Sequence, residues 1–125
     1  MLNFKERSPI YIQIIEKIKA DIVSGKIKGG EKLPSVRDFS ESFQVNPNTV
    51  QRVFQELEKE NIAYSQRGIG TFIVDGADLV NKLKNAQAQK YTKRFINEMS
   101  SLGMNKDEIN KYLLKILEAN SNEYS

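Results

Sequence analysis

The chain has 125 residues, of which 28% are charged and 39% hydrophobic, and its 19 Lys/Arg against 16 Asp/Glu give a net charge of +3. That is room for one domain, or for a small domain with a helical appendage. Cysteine and histidine are both absent, which excludes disulfides, thiolate nucleophiles, zinc sites built on Cys or His, and the commonest general base near neutral pH. The positive excess is slight and evenly spread, eleven Lys/Arg against ten Asp/Glu up to Gly76 and eight against six beyond it. A nucleic-acid surface would therefore depend on where a few cations sit, not on bulk basicity. No apolar run is long enough to span a bilayer, and the N-terminus lacks the apolar stretch of a secretion signal, so a cytoplasmic protein with no membrane partner is expected.

In chain order, Ser8-Pro9 has the form of a helix start, with serine as N-cap and proline at the first helical position. Ile10, Ile14, Ile15, Ile18 and Ile22 follow at spacings of three and four, one apolar face of a first helix. Gly25 stands where a left-handed residue would end it, and Gly29-Gly30 marks a turn. Ser35 opens a short second helix, with Asp38 three residues on and Val36, Phe39 and Phe43 as apolar positions. Gln44-Val45-Asn46 breaks it. Asn46-Pro47 then starts a third helix with Val50, Val53, Phe54 and Leu57 on its dry side. Two short helices across a three-residue break form a helix-turn-helix pattern. The period changes after Asn61. Ile62-Ala63-Tyr64-Ser65 and Thr71-Phe72-Ile73-Val74 are short and rich in β-branched and aromatic residues, and Gln66-Arg67-Gly68-Ile69-Gly70 joins them. They predict a hairpin, which directly after a helix-turn-helix would be a wing. No strand, Gly-rich loop and helix unit surrounds these glycines, so they do not form a nucleotide loop.

Asp75-Gly76 closes this unit. Residues 1–76 are expected to form a winged helix-turn-helix domain and residues 77–125 a helical dimerisation domain. Asp78 is the candidate N-cap of a long helix in which Leu79, Leu83, Phe95, Met99 and Leu102 only roughly follow a helical repeat. Gly103 stops it, and Asn105 with Glu108 caps a last helix whose apolar face is Ile109, Tyr112, Leu113, Ile116 and Leu117. About fifty residues of helix cannot bury two such stripes well on their own. Either they pack back on the first domain or they pair with another chain. Pairing is favoured, because a DNA reader gains affinity and site length from two-fold symmetry. The expected fold is mainly α with a small β-hairpin. The expected dimerisation residues are Leu79, Leu83, Phe95, Met99, Leu102, Ile109, Tyr112, Leu113 and Ile116.

A recognition helix needs a dry face and a polar one. Beside the dry face of the third helix stand Asn48, Thr49, Gln51 and Arg52; Asn and Gln can bond adenine in the major groove, and Arg can bond guanine. The same face could equally be a solvated surface, but its place second in a helix-turn-helix favours DNA. The start of this helix, from Asn46, also suits a phosphate. Arg37, in the first turn of the second helix, is either a guanine or phosphate contact or a surface partner of Glu41. Arg67, next to Gly68, either enters a minor groove or merely keeps the wing tip soluble. Ser35 and Gly70 complete the expected DNA-binding set. No catalytic residue, metal site or cofactor is expected, and no enzyme, since no acid–base pair stands at a workable spacing.

Five blocks in order now resemble the N-terminal domain of the GntR family of bacterial transcription regulators. They are Pro9-Ile10-Tyr11-Ile12-Gln13-Ile14, Leu33-Pro34-Ser35-Val36-Arg37, Val45-Asn46-Pro47-Asn48-Thr49-Val50, Phe54-Gln55-Glu56-Leu57-Glu58 and Arg67-Gly68-Ile69-Gly70-Thr71-Phe72. The resemblance implies DNA contacts by Arg37, by residues 46–52 and by Gly68. Gly29 stands where the family usually has Pro, Pro47 where other branches have Arg, and Asn61 where Gly is frequent. Gln44 stands where the turn usually has Gly, so a strain of roughly 1 kcal/mol is expected there. About fifty residues of two C-terminal helices resemble the short YtrA-like branch, which implies a homodimer, double-stranded operator DNA as partner and an association with ABC-transporter operons. The expected function is a homodimeric repressor on a palindromic operator. A sensor with a small-molecule effector between the C-terminal helices, and a winged-helix protein-interaction module, are the alternatives.

Overall fold

The computed structural model describes residues 8–121. They form α1 (Ile10–Val23), α2 (Val36–Phe43), α3 (Pro47–Lys59), β1 (Ala63–Gln66), β2 (Gly70–Ile73), α4 (Ala77–Ser101) and α5 (Lys106–Ala119). The chain divides into two compact units, Met1–Lys84 and Asn85–Ser125. The described residues are thus mainly helical with one small antiparallel hairpin.

The first unit is built around a single apolar cluster. Ile14, Ile15, Ile18 and Ile22 of α1 meet Leu33, Phe39, Val50, Val53, Phe54, Leu57, Ile62 and Ile73. The three-and-four spacing of the isoleucines puts them on one side of α1, while Ile10, in the first turn, is left half exposed. Helix α1 begins one residue later than Ser8-Pro9 suggests. Pro9 is extended, with ψ 147, and its own carbonyl accepts from the Ile12 and Gln13 amides, so it is the cap residue and has no side-chain cap. Gly25, with φ 84, ends the helix in the left-handed region.

Ser35 caps α2 through its Oγ, which accepts from the Asp38 amide at 3.1 Å. Phe39 stacks on Phe43 at 4.7 Å and meets Phe54 edge-on at 5.6 Å, tying α2 to α3. Gln44 lies at φ 54 and ψ 48, the left-handed position expected of it. A Cβ there crowds the following carbonyl, so Gln44→Gly is expected to raise stability by about 0.5–1 kcal/mol, read from urea melts. Asn46 caps α3 by accepting from the Asn48 amide at 2.8 Å, with Pro47 at the first helical position. Asn61, at φ 60, reverses the chain into β1, and the Ile62 amide donates back to the Leu57 carbonyl.

In the hairpin, Ala63 pairs with Ile73, Tyr64 with Phe72, Ser65 with Thr71 and Gln66 with Gly70. Residues 31–33 line the other edge of β2. The Leu33 amide donates to Thr71, the Ile73 amide to Glu31, and Lys32 bridges to Phe72. The sequence presents this segment only as a loop, since three residues before a proline show no period. Helix α4 starts at Ala77, so Asp78 lies in its first turn and not at the cap.

The first turns of α4 require a correction. Leu79 and Leu83 are expected on a dimerisation face, yet Leu83 is a core residue of the first unit and Leu79 and Val80 pack against that core. Their apolar character serves the winged helix itself. In the second unit, Asn105 and Glu108 form the expected capping box on α5. Phe95 and Met99 are half-buried and Ile109 is buried. Leu102, Tyr112, Leu113, Ile116 and Leu117 are all at least 40% exposed. Gly103, with φ 83, separates the two helices.

Candidate nucleic-acid interface

Helix α3 presents two unlike faces. Val50, Val53 and Leu57 are fully buried and Phe54 nearly so, whereas Asn48, Gln51 and Arg52 are exposed and Thr49 is half-buried. The packing of α3 on α1 and α2 fixes the dry face, and the polar side chains are therefore presented outward at helical spacing. Asn46 lies at the head of this face with its Oδ1 committed to the Asn48 amide. Ser35 is likewise committed to its own helix. In both, the side-chain oxygen sets where a helix begins, which leaves the Ser35 hydroxyl hydrogen and the Asn46 Nδ2 as outward donors.

Arg37 is exposed, and its Nε donates to Glu41 Oε1 at 3.3 Å. Both side chains are more than two-thirds exposed, and a pair so wetted is worth about 0–1 kcal/mol. The guanidinium is thus both the surface partner of Glu41 and free to exchange it for a stronger acceptor.

At the wing, Arg67 is exposed and Gly68 has φ 78 with open space where a Cβ would be. Gly70 differs. A Cβ on it would lie 2.6 Å from Lys32 Cε. Gly70 has φ 147, a backbone that residues with a side chain rarely adopt, and its bare Cα leaves room for the Lys32 stem beside this expected DNA-binding position. Lys32 is a cation on this surface that sequence reading missed. Only the pairing of residues 31–33 with β2 brings it there.

Arg52 also has a partner that the sequence did not show. Its Nη2 donates to the Tyr11 hydroxyl at 3.0 Å, and its Cζ lies 3.8 Å above the Tyr11 ring. Tyr11 stands beside the isoleucine stripe of α1, where its half-buried ring packs on the core. Among the described residues no group of three or more His, Cys, Asp or Glu side chains is placed to hold a metal ion. No helix there is long and apolar enough to cross a membrane.

Residues 10–73, from the start of α1 to the end of the wing, match the bacterial regulatory proteins of the gntR family. The chain belongs to that family. It is 39% identical to the HTH-type transcriptional regulator YhcF of Bacillus subtilis over 86% of this chain and 88% of that one. It is 34% identical to the HTH-type transcriptional repressor YtrA of the same organism, over 93% and 92%. A GntR family transcriptional regulator from Listeria monocytogenes superposes with a TM-score of 0.78 at 41% identity, over 86% of this chain and 95% of that one. The AraR DNA-binding domain in complex with operator ORE1 matches at TM-score 0.53 and 30% identity, over 59% and 90%. The chain is accordingly a helix-turn-helix transcription regulator with a winged-helix fold, and not an enzyme. Regulators of this family bind operator DNA.

Proposed function

We propose that the protein is a homodimeric repressor whose two winged helices occupy the halves of a palindromic operator. The observation that carries this reading is the exposed polar face of α3, with Asn48, Gln51 and Arg52 opposite a fully dry one. Arg37 on α2 and Arg67 on the wing add exposed cations. Phosphate contacts position such a reader, and contacts to base edges specify the sequence. Pairing is supported by the second unit, whose α5 leaves Tyr112, Leu113, Ile116 and Leu117 open to solvent. Phe95, Met99 and Leu102 would complete that face, whereas Ile109 is already buried within the single chain. Likeness to a relative named as a repressor supports the sign of regulation, since occupancy of a promoter is enough to repress. The resemblance to the YtrA-like branch extends the proposal to an ABC-transporter operon as the regulated genes.

The test is binding to the DNA upstream of the protein's own gene, followed by fluorescence anisotropy. The wild type is expected to prefer it over scrambled DNA and to lose affinity steeply as salt rises. Arg37→Ala is expected to weaken operator binding by about 1–3 kcal/mol if the side chain makes a bidentate base contact. A flat salt response, together with unchanged binding by Arg37→Ala, would remove DNA as the ligand of this surface.

A further inference from the structure

Tyr11 and Arg52 are 41 residues apart in sequence, and their contact joins α1 to the exposed face of α3. Two interactions hold it, the 3.0 Å bond from Nη2 to the phenol oxygen and the 3.8 Å stack of guanidinium on ring. The partners are unequal in freedom. The Tyr11 ring is half-buried and packed against the core, whereas Arg52 is exposed. A guanidinium carries five donors in one plane. The Tyr11 contact seats the guanidinium carbon over the ring and uses one donor, leaving the rest of the fork to serve a bidentate acceptor.

We infer that Tyr11 is a positioning residue for Arg52: it holds the guanidinium in a fixed plane before DNA arrives, so that the unused donors take a guanine edge or a phosphate. The inference rests on the DNA-reading role proposed for α3. A free arginine must lose its rotamer freedom on binding, and the Tyr11 ring removes most of that loss in advance. The gain corresponds to about tenfold in affinity.

The test is a double-mutant cycle on the full chain, read by anisotropy on operator and on scrambled DNA, with thermal melts of every variant. Tyr11→Leu is expected to weaken operator binding about tenfold, and Tyr11→Phe, which keeps the ring and loses the hydroxyl, about threefold. In an Arg52→Ala background neither change is expected to weaken binding further, because the group they orient is gone. Tyr11→Phe carries the cycle if Tyr11→Leu does not fold. A loss confined to operator DNA assigns Arg52 to a base edge, and an equal loss on both DNAs assigns it to a phosphate; each supports the positioning role. The same fold-loss with and without Arg52, or no loss at all, would overturn it while leaving the DNA-binding reading intact. A wild type that does not distinguish operator from scrambled DNA would overturn both.

Discussion

Ile116→Lys is expected to leave the chain folded while operator affinity falls by on the order of 10²–10⁴-fold, the advantage that two linked binding modules have over one. Ile116 is 51% exposed, and its neighbours Tyr112, Leu113 and Leu117 on α5 are 48%, 40% and 41% exposed. A lysine at such a position can reach water in the single chain, so folding loses little. In a dry contact between two copies the same ammonium would be stripped of water with no anion to meet it, which is costly. Analytical ultracentrifugation should show a monomer at concentrations where the wild type is expected to sediment as a dimer. Binding to an isolated half-site should match the wild type, because the winged helix is untouched. A variant that still sediments as a dimer and binds the full operator normally would remove α5 as the pairing face.

Much of the first unit was legible because its signals are local and periodic. The isoleucines of α1, the capped starts at Ser35 and Asn46, and the two-glycine wing each carry a pattern that one stretch of chain can display. The left-handed backbone at Gln44 was legible only through the family resemblance, which puts a glycine at that position. What failed to show was the identity of partners. Periodicity says that a face is apolar and not what covers it, so it puts Leu79 and Leu83 on a dimer face, whereas Leu83 lies in the winged-helix core and Leu79 packs against it. The strand-like segment at 31–33 is paired only through β2, some forty residues on. Gly70 shows in the sequence as a wing glycine, whereas the Lys32 stem that lies beside it does not show. The polar face of α3 was legible as a surface, whereas the Tyr11 partner of Arg52 was not. Nothing in either local sequence marks the two as neighbours.

The core that aims this surface has its centre at Leu57, and Leu57→Ala is expected to destabilise the first unit by about 2–5 kcal/mol. Leu57 is fully buried, as are Ile62, Ile73, Val50 and Val53 in the same cluster. Alanine is the better helix former, so α3 itself loses nothing in propensity. The whole cost comes from lost transfer energy and from the cavity that rigid neighbours cannot close. The Ile62 amide still reaches the residue 57 carbonyl, because that bond is made by the main chain. Small domains have only about 5–15 kcal/mol in hand, so the melting temperature is expected to fall by roughly 10–30 °C. Urea melts should show a lower midpoint with an unchanged slope, the mark of lost stability without a changed unfolded state. Leu57→Met, which conserves volume, is expected to lose less than about 1.5 kcal/mol. Equal losses for alanine and methionine would show that packing at this point does not hold α3. Operator binding measured below the variant's melting range should recover most of its affinity, since the reading face is carried by residues that Leu57 supports and does not include.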